Sequence, residues 1–202
     1  MKSQIMMKKK ATQVRQAEIL QAALGVIGRL GMSGLTIHEV AKAAGMCEAN
    51  IYRHFRNKQE VIKAVVEQIG TQVTSRASLL AASSGPPLDK LEKIIMAHTE
   101  LIAKNPGIPR LLFSDGGMIT GGRIAEIMNI RIEGFLSTLT GLIEAAMAEG
   151  TIREGIGARE TATTVLGIIQ FSVVRWTGNQ AEGNLLNEVS GLWSNFKLLI
   201  KR

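Results

Sequence analysis

Residues 36–55 contain two short segments with helical apolar spacing, separated by a glycine, and this pattern restricts the fold more than any other feature of the chain. Thr36 and Glu39 begin the first segment as a capping box, in which the hydroxyl caps a backbone N–H and the glutamate reaches back. Gly45 supplies a turn, and the second segment ends near Phe55. Two short helices joined by a turn of roughly three or four residues are typical of a helix-turn-helix.

The apolar positions of these two segments predict a small shared core. Its members are Ile37, Val40, Ala41, Ala44, Ile51 and Phe55. The second helix then presents its other side chains to solvent. These are Glu48, Ala49, Asn50, Tyr52, Arg53 and His54.

Positive charge is concentrated in the same part of the chain. Residues 1–60 contain ten Lys or Arg against four Glu, which leaves +6 of the formal +7 in less than a third of the sequence. Lys and Arg that meet phosphates release condensed counterions and gain affinity. The asymmetry is typical of a surface that faces a polyanion, although a solvated basic face has the same composition. Lys8-Lys9-Lys10 is likewise either a solvated tail or an arm that touches DNA.

Helical periodicity continues on both sides of this motif and through the rest of the chain. Apolar residues at three- and four-residue steps predict a first helix over about 12–30, with Gly31 as its C-cap. Asn57 predicts the cap of a long helix over about 58–80. Glycine and proline breakers divide the remainder, so we expect an all-α protein of about nine helices.

Several classes of protein are disfavoured by what the chain contains. Cys47 is its one cysteine, which excludes an intrachain disulfide and a cysteine-based metal site. His38, His54 and His98 lack metal-ligand spacing and are expected on the surface or at DNA. No serine lies in a nucleophile-elbow pattern, so we predict neither an enzyme nor a bound metal or cofactor. Cys47 itself is either a small substitute for serine or a thiol redox switch.

The segments around the motif resemble the DNA-binding domain of TetR-family regulators. They are Ile19–Ala23, Gly31, Leu35–Met46 and Ile51–Gln59. The resemblance implies a three-helix DNA-binding domain at residues 1–58, with a basic arm at 1–11, followed by a larger helical effector-binding and dimerisation domain at 59–202. It also implies a ligand-responsive repressor that binds a palindromic operator of double-stranded DNA as a homodimer.

The same resemblance assigns contacts to DNA. Phosphate contacts, which set the register of a protein on the duplex, are implied for Thr36, Tyr52, His54 and Lys58. Base contacts are implied for Glu48, Ala49, Asn50 and Arg53. Asparagine pairs with adenine, arginine with guanine, and alanine touches a thymine methyl. The chain departs from the family pattern at Cys47, where serine is common, and at Ala49, where glycine is frequent.

The C-terminal helices carry more apolar surface than one helix face needs. This surplus indicates either central core packing or the wall of an apolar pocket. Candidate ligand contacts combine aromatic and methionine side chains with a few polar groups, so we expect a small, mostly apolar effector, with Arg131 facing any anionic group. The candidates are Met96, Thr99, Met118, Met128, Arg131, Phe135, Gln170, Phe171 and Trp176.

Residues 161–174 form a stretch without charge, which must be covered on nearly all sides. A second copy of the chain is the simplest cover, and the apolar final helix supplies another self-associating face. We therefore expect a four-helix dimer interface. Its predicted members are Val165, Gly167, Ile168, Leu192, Trp193 and Phe196. A dimer would also present two recognition helices to successive major grooves.

Residues 1–20 lack the apolar core of a signal peptide, and no uninterrupted apolar run approaches about 18 residues, so a cytoplasmic protein is expected. Two other functions stay open. One is an activator or a low-specificity DNA-binding protein with the same N-terminal domain. The other is a helical small-molecule or lipid carrier whose basic end meets membranes.

Overall fold

The computed structural model describes residues 2–113, 122–179 and 183–202, with side chains from Thr12 onward. Nine helices lie in these ranges, and the predicted all-α fold is confirmed. The helices are α1 (Lys2–Leu30), α2 (Ile37–Ala44), α3 (Glu48–Tyr52), α4 (Lys58–Ala81), α5 (Pro87–Lys104), α6 (Gly107–Leu112), α7 (Arg123–Ala148), α8 (Ala158–Gly178) and α9 (Leu185–Ile200).

The first helix begins earlier than the sequence pattern predicts. We expected an arm over residues 1–11 and a helix from about Thr12, whereas the backbone is helical from Lys2. Lysine, methionine, glutamine and alanine are good helix formers, so the segment needs no apolar stripe to continue the helix. The arm is thus an extension of α1 over residues 2–11.

The helix-turn-helix is held together by the caps that the sequence predicts. The Thr36 hydroxyl accepts a hydrogen bond from the Glu39 N–H at 3.1 Å and thereby starts α2. Gly45 ends it with a φ of 64°, in the left-handed region that glycine adopts without steric cost. The Asn57 side chain accepts from the Glu60 N–H at 3.0 Å and starts α4. Local side-chain chemistry therefore sets three of the boundaries around α3.

Helices α1, α2 and α3, with the chain as far as Phe55, share one core, and we call residues 2–55 the N-terminal unit. The apolar side chains predicted for it are buried, except Ala44, which is half-buried. Ile51 is fully buried on the inner side of α3 and packs in one apolar cluster with Ile27 of α1 and Val40 of α2. Burial of these side chains fixes the orientation of α3, because each contributes roughly 1.5–3 kcal/mol relative to exposure.

Helix α4 connects the N-terminal unit to the C-terminal helices. It packs against α1 at one end and against α5 and α7 along its length. Helices α5, α7, α8 and α9 then pack on one another around residues such as Ile95, Leu139 and Ile169, each of which is at most 1% exposed. A movement of α4 relative to α7 would therefore also displace α4 relative to α1 in the N-terminal unit.

A second connection runs through the short helix α6, which lies against α1. A Cβ on Gly107 would collide with the carbonyl oxygen of Leu24, and a Cβ on Gly28 would lie 3.2 Å from the Gly107 nitrogen. The Arg110 guanidinium also donates to the Arg29 carbonyl at 3.3 Å. The two backbones thus approach as closely as glycine permits.

The last helix is tied to α5 by a polar cluster at the edge of the core. Trp193 Nε1 and Lys197 Nζ both donate to Glu92 Oε2, at 3.1 and 2.8 Å. The hydrogen bond from Lys197 lowers the pKa of Glu92, with a smaller contribution from Trp193. Trp193 itself is 1% exposed.

None of the described helices combines the length and the apolar character that a membrane crossing requires.

Candidate DNA-reading helix and effector cavity

Helix α3 presents its predicted DNA-reading residues outward. Tyr52 is 52% exposed, and Glu48, Ala49, Asn50 and Arg53 are exposed as well. Their outward direction follows from Ile51, whose burial anchors the opposite side of the helix. His54 is half-buried, since the chain turns back toward the core at Phe55.

Two of the candidate contacts already have partners within the chain. His38 Nδ1 lies 2.9 Å from Glu48 Oε1, which links the exposed side of α2 to the first residue of α3. Lys58 Nζ donates to the carbonyl of Met32 at 3.3 Å. The Lys58 ammonium therefore lies beside the loop that leads into Thr36. Helix N-termini with free N–H groups are favourable positions for phosphate oxygens.

A cavity of about 70 Å³ lies between the C-terminal helices. Its walls come from α4, α5, α6, α7 and α8 and are almost wholly carbon. Typical small-molecule sites share this mostly apolar lining with a few polar groups but measure about 300–1,000 Å³, so a ligand of that size would have to enlarge the cavity. The polar side chains of this inner cavity are His98, Arg131 and Gln170.

The Arg131 side chain packs against α4 at Gly70, which has no side chain of its own to occupy that space. A Cβ on Gly70 would lie 2.5 Å from the Arg131 Cγ, so the aliphatic part of the arginine occupies that space. No carboxylate within ion-pair distance of Arg131 occurs among the residues that the structure describes. A cation without a fixed partner in the wall is suited to an anionic or strongly polar ligand group.

A second, more polar cavity of about 330 Å³ adjoins the first. The two share four wall residues, which are Val73, His98, Leu101 and Phe135. The rim of this outer cavity carries Arg76, Lys104 and Glu100. Lys104 Nζ lies 2.6 Å from Glu100 Oε1, and Lys104 and then Arg76 lower the pKa of Glu100. Two cations and one carboxylate leave the rim with a net positive charge.

The predicted ligand contacts divide into those that face a cavity and those that do not. Met128, Arg131, Phe135 and Gln170 line the inner cavity. Met118 lies outside the described residues. The remaining four predicted ligand contacts line neither cavity.

Met96 and Trp176 are half-buried and pack against the apolar core. Thr99 is fully buried, and its hydroxyl donates to the Ile95 carbonyl of its own helix at 2.8 Å. Phe171 is 64% exposed on the outer side of α8. None of these four residues lines either cavity, so the structure does not bring them together with the other predicted ligand contacts.

His98 is the cavity residue that the sequence analysis missed. We expected it on the surface or at DNA, whereas it lines both cavities and its Nδ1 is inaccessible to solvent. Burial lowers its pKa to about 4. The helical spacing of Leu91, Ile94 and Ile102, all buried, places position 98 on the same inward face of α5. That periodicity is the signal that could have found it.

The predicted dimer contacts also divide. Val165 and Trp193 are each 1% exposed, so the structure moves them from a partner-facing surface into the core of the chain. Gly167 is exposed with open space at its Cβ position, Leu192 is 40% exposed, and Ile168 and Phe196 are half-buried.

An apolar outer face remains on the two C-terminal helices. On α8 it consists of Gly167, Phe171 and Val174, and on α9 of Leu192, Phe196 and Leu199. Each set follows the i, i+4, i+7 spacing of one helix side. We call these six residues the outer α8–α9 face.

Comparison with known proteins supports the assignment of the N-terminal unit. Residues 19–65 match the family model described as bacterial regulatory proteins, tetR family. The "Fatty acid metabolism regulator protein" of Bacillus subtilis (strain 168) is 25% identical, over 84% of this chain and 87% of its own length. The "Nucleoid occlusion factor SlmA" of Vibrio atlanticus (strain LGP32) is 24% identical, over 93% of this chain and 96% of its own.

Solved structures share the whole fold. The transcriptional regulator FadR from Bacillus subtilis, crystallised with stearoyl-CoA, superposes with a TM-score of 0.76 at 22% identity, covering 89% of this chain and 96% of that one. The match spans the C-terminal helices as well as the N-terminal unit. The helix-turn-helix with its outward-facing α3 lies within the segment that matches the tetR-family model, and the likeness to the FadR structure extends the similarity in fold to the C-terminal helices.

Proposed function

We propose that this protein is a cytoplasmic, homodimeric repressor that occupies a palindromic operator and is released by a long-chain acyl thioester such as an acyl-CoA. Residues 1–58 would read DNA, and residues 59–202 would bind the effector and the second copy. The observation that carries the proposal is the apolar inner cavity, which is bounded by the two helices that connect to the N-terminal unit, α4 and α6.

The cavity chemistry favours a ligand with a hydrocarbon tail. Its wall is built from aliphatic side chains of five helices, and a tail of CH₂ groups gains about 0.8 kcal/mol for each one buried there. Two similar proteins also favour a fatty acyl ligand. One is named a fatty acid metabolism regulator protein, and the other is the FadR regulator whose structure contains stearoyl-CoA.

The outer cavity favours an anionic head on the same ligand. Arg76 and Lys104 line its rim, and only Glu100 among the rim side chains opposes them. The phosphates of a coenzyme A moiety would find complementary charge there, at a site open enough to leave the nucleotide in solvent. A molecule with a long tail and a phosphorylated head therefore fits the two cavities together.

Release from DNA would follow from a change in the positions of α4 and α6. Ile108 and Leu111 of α6 line the inner cavity, and Gly107 of the same helix lies against Leu24 of α1. A ligand that enlarges the cavity displaces α6, and α1 carries that displacement to the helix-turn-helix. Such a ligand binds better to the form with wrongly spaced recognition helices and shifts the population toward it, typically by 1–3 kcal/mol of coupling.

The outer α8–α9 face supports the proposed dimer. Phe171 is 64% and Leu199 65% exposed, although both are large apolar side chains in apolar rows of neighbouring helices. The same surface on a second copy would cover it around a two-fold axis. The predicted base and phosphate contacts of α3 then act in pairs on a palindromic site.

The test begins with selection of genomic fragments by the purified protein, which yields the operator. Operator affinity is then measured by fluorescence anisotropy with stearoyl-CoA, coenzyme A alone, or stearate added. We expect stearoyl-CoA to lower the affinity by about tenfold or more, as a coupling of 1–3 kcal/mol predicts, and coenzyme A alone to have no effect.

Leu166→Trp provides the matched variant, because Leu166 lines the inner cavity and a larger side chain would fill it. Leu79→Trp adds the same side chain on a 69% exposed position of α4. We expect Leu166→Trp to keep operator binding and lose the response, and Leu79→Trp to retain both. A response to no acyl ligand, with operator binding intact, would instead favour a DNA-binding role without a small-molecule effector.

A further inference from the structure

His98 lies where the two cavities meet. It is one of the four residues that line both, and its ring centroid is 4.9 Å from that of Phe135, another of the four. The other two shared residues, Val73 and Leu101, are aliphatic. His98 is therefore the polar residue among the four that the two cavities share, at the place where a ligand that occupies both would lie.

The chemical state of His98 suits an uncharged partner. Burial lowers its pKa to about 4, so the imidazole is neutral at physiological pH and offers one N–H donor and one acceptor nitrogen. Its Nδ1 is shielded from solvent and has no hydrogen-bond partner among the described residues. Buried polar groups are nearly always hydrogen-bonded, so this unpaired nitrogen indicates a missing partner.

We propose that His98 is a specificity-determining residue of the effector site, which forms a hydrogen bond to the uncharged carbonyl oxygen of the acyl thioester. The inference rests on the proposed function, because it concerns the same ligand in the same two cavities. His98 would thus recognise the point where the hydrocarbon tail joins the charged head.

The order of the cavities supports the carbonyl as the partner. The tail enters and enlarges the inner cavity, whose walls are almost wholly carbon, and the phosphorylated head lies at the Arg76 and Lys104 rim of the outer one. In an acyl thioester the carbonyl stands between the two. A free carboxylate would instead be recognised by Arg131 of the inner cavity, because the neutral imidazole of His98 cannot pair its charge.

The test compares two ligands that differ by one oxygen atom. Stearoyl-CoA has the carbonyl, and S-octadecyl-CoA has the same chain length and head but a methylene in place of the carbonyl. Binding of both to the purified full-length protein is measured by isothermal titration calorimetry. We expect the wild-type protein to prefer the thioester by about 3- to 10-fold, the range of one net hydrogen bond.

Variants then assign the preference to its residue. In His98→Leu the two ligands should bind equally, and in His98→Gln, which keeps a donor and an acceptor, part of the preference should return. Gln170→Leu is the matched control, since Gln170 is another polar side chain of the inner cavity, and it should keep the full preference. His98→Phe serves as a second apolar variant should His98→Leu fail to fold.

Each result separates the two proposals. If neither ligand binds the wild-type protein, the proposed acyl-thioester effector is wrong. If both bind the wild type with equal affinity, the effector class stands and the role of His98 is overturned. Loss of the preference in Gln170→Leu with retention in His98→Leu would assign the carbonyl to Gln170 and also overturn the inference.

Discussion

Gly107 of α6 lies so close to the Leu24 carbonyl of α1 that the structure leaves no space for a side chain between them. One of these helices borders the inner cavity and the other belongs to the DNA-reading unit. Short contacts between backbones transmit displacement with little loss, because close-packed interiors compress poorly. The pair is thus a direct connection between a helix of the inner cavity and the first helix of the N-terminal unit.

We predict that Gly107→Ala separates α6 from α1. The added methyl group would overlap the Leu24 carbonyl, so the free energy of unfolding should fall by about 1–3 kcal/mol. Operator affinity should change as well, since α1 is displaced. Urea denaturation followed by circular dichroism measures the first effect, and anisotropy on the selected operator measures the second.

Gly141→Ala is the control for this substitution. Gly141 is exposed in the middle of α7, and a Cβ there has nothing within 4 Å. Alanine should therefore stabilise the protein slightly, by about 0.5–1 kcal/mol, through its higher helix propensity. If both variants behaved alike, the contact between α6 and α1 would have no special role.

Arg53 is predicted to read a base, and Arg53→Ala should relax the sequence preference at one position in each half-site. Arg53 is exposed on α3, so the substitution removes a DNA contact without disturbing the core. Loss of a bidentate contact to guanine costs about 1–3 kcal/mol on the preferred operator and little on sites that lack the guanine. Binding to a library of operators randomised one position at a time, at one fixed salt concentration, measures the change.

Tyr52→Phe makes the useful comparison, because it removes one hydroxyl from a side chain that is 52% exposed on the same helix. A phosphate contact carries no sequence information, so its loss should weaken all operators by a similar factor. If Arg53→Ala weakened binding to all operators equally and Tyr52→Phe weakened binding only to some sequences, the two assigned roles would be reversed.

The sequence predicted the helix-turn-helix well because its boundaries depend on local chemistry. Thr36, Gly45 and Asn57 each act on backbone groups within four residues, and the structure contains all three caps. The outward side of α3 followed equally well from the apolar spacing that buries Ile51.

The cavity was predicted less well, because a wall residue depends on the rotation of its helix. Gln170 lines the inner cavity while Phe171, the next residue, is 64% exposed on the outer side of α8. One residue turns an α-helix by about 100°, so a small error in the assumed orientation moves a side chain from the cavity to the surface. Composition pointed to α5, α7 and α8 but not to the walls from α4 and α6, and only packing could identify the side chains.

Glu92 should make the stability of the protein depend on pH. Its folded-state pKa lies below the ordinary value of 4.5, so the hydrogen bonds from Lys197 and Trp193 stabilise the fold above that pH. The contribution is lost as the pH falls through the folded-state pKa, because a protonated carboxyl binds Lys197 weakly. Glu92→Gln should therefore lower the free energy of unfolding at pH 7 and have a shrinking effect below about pH 4.5.

Urea denaturation at a series of pH values measures this difference between wild type and variant. Glu144→Gln, at an exposed position of α7, serves as the control and should stay within about 0.5 kcal/mol of wild type throughout. The Glu92 side chain is 42% exposed, so added salt should reduce its effect. An effect that persisted unchanged at low pH would mean that packing, and not the ion pair, is lost in Glu92→Gln.

The outer α8–α9 face should hold two copies of the chain together, and Phe171→Glu tests this. Phe171 lies at the middle of its apolar row on α8, where a partner copy would bury a charge without a counter-ion. We expect sedimentation velocity at micromolar concentration to find a dimer for wild type and a monomer for the variant. Leu79→Glu places the same charge on a 69% exposed leucine of α4, outside the face, and should remain dimeric.

Operator binding should fall with the dimer. Two recognition helices on one rigid dimer engage successive major grooves about 34–36 Å apart, whereas a monomer contacts one half-site and loses the gain in effective concentration. Phe171→Glu should thus weaken binding to the full operator by about 100-fold or more while binding to an isolated half-site changes little. If the variant were monomeric and still bound the full operator as tightly as wild type, the two half-sites would not be read by a pair of chains joined at this face.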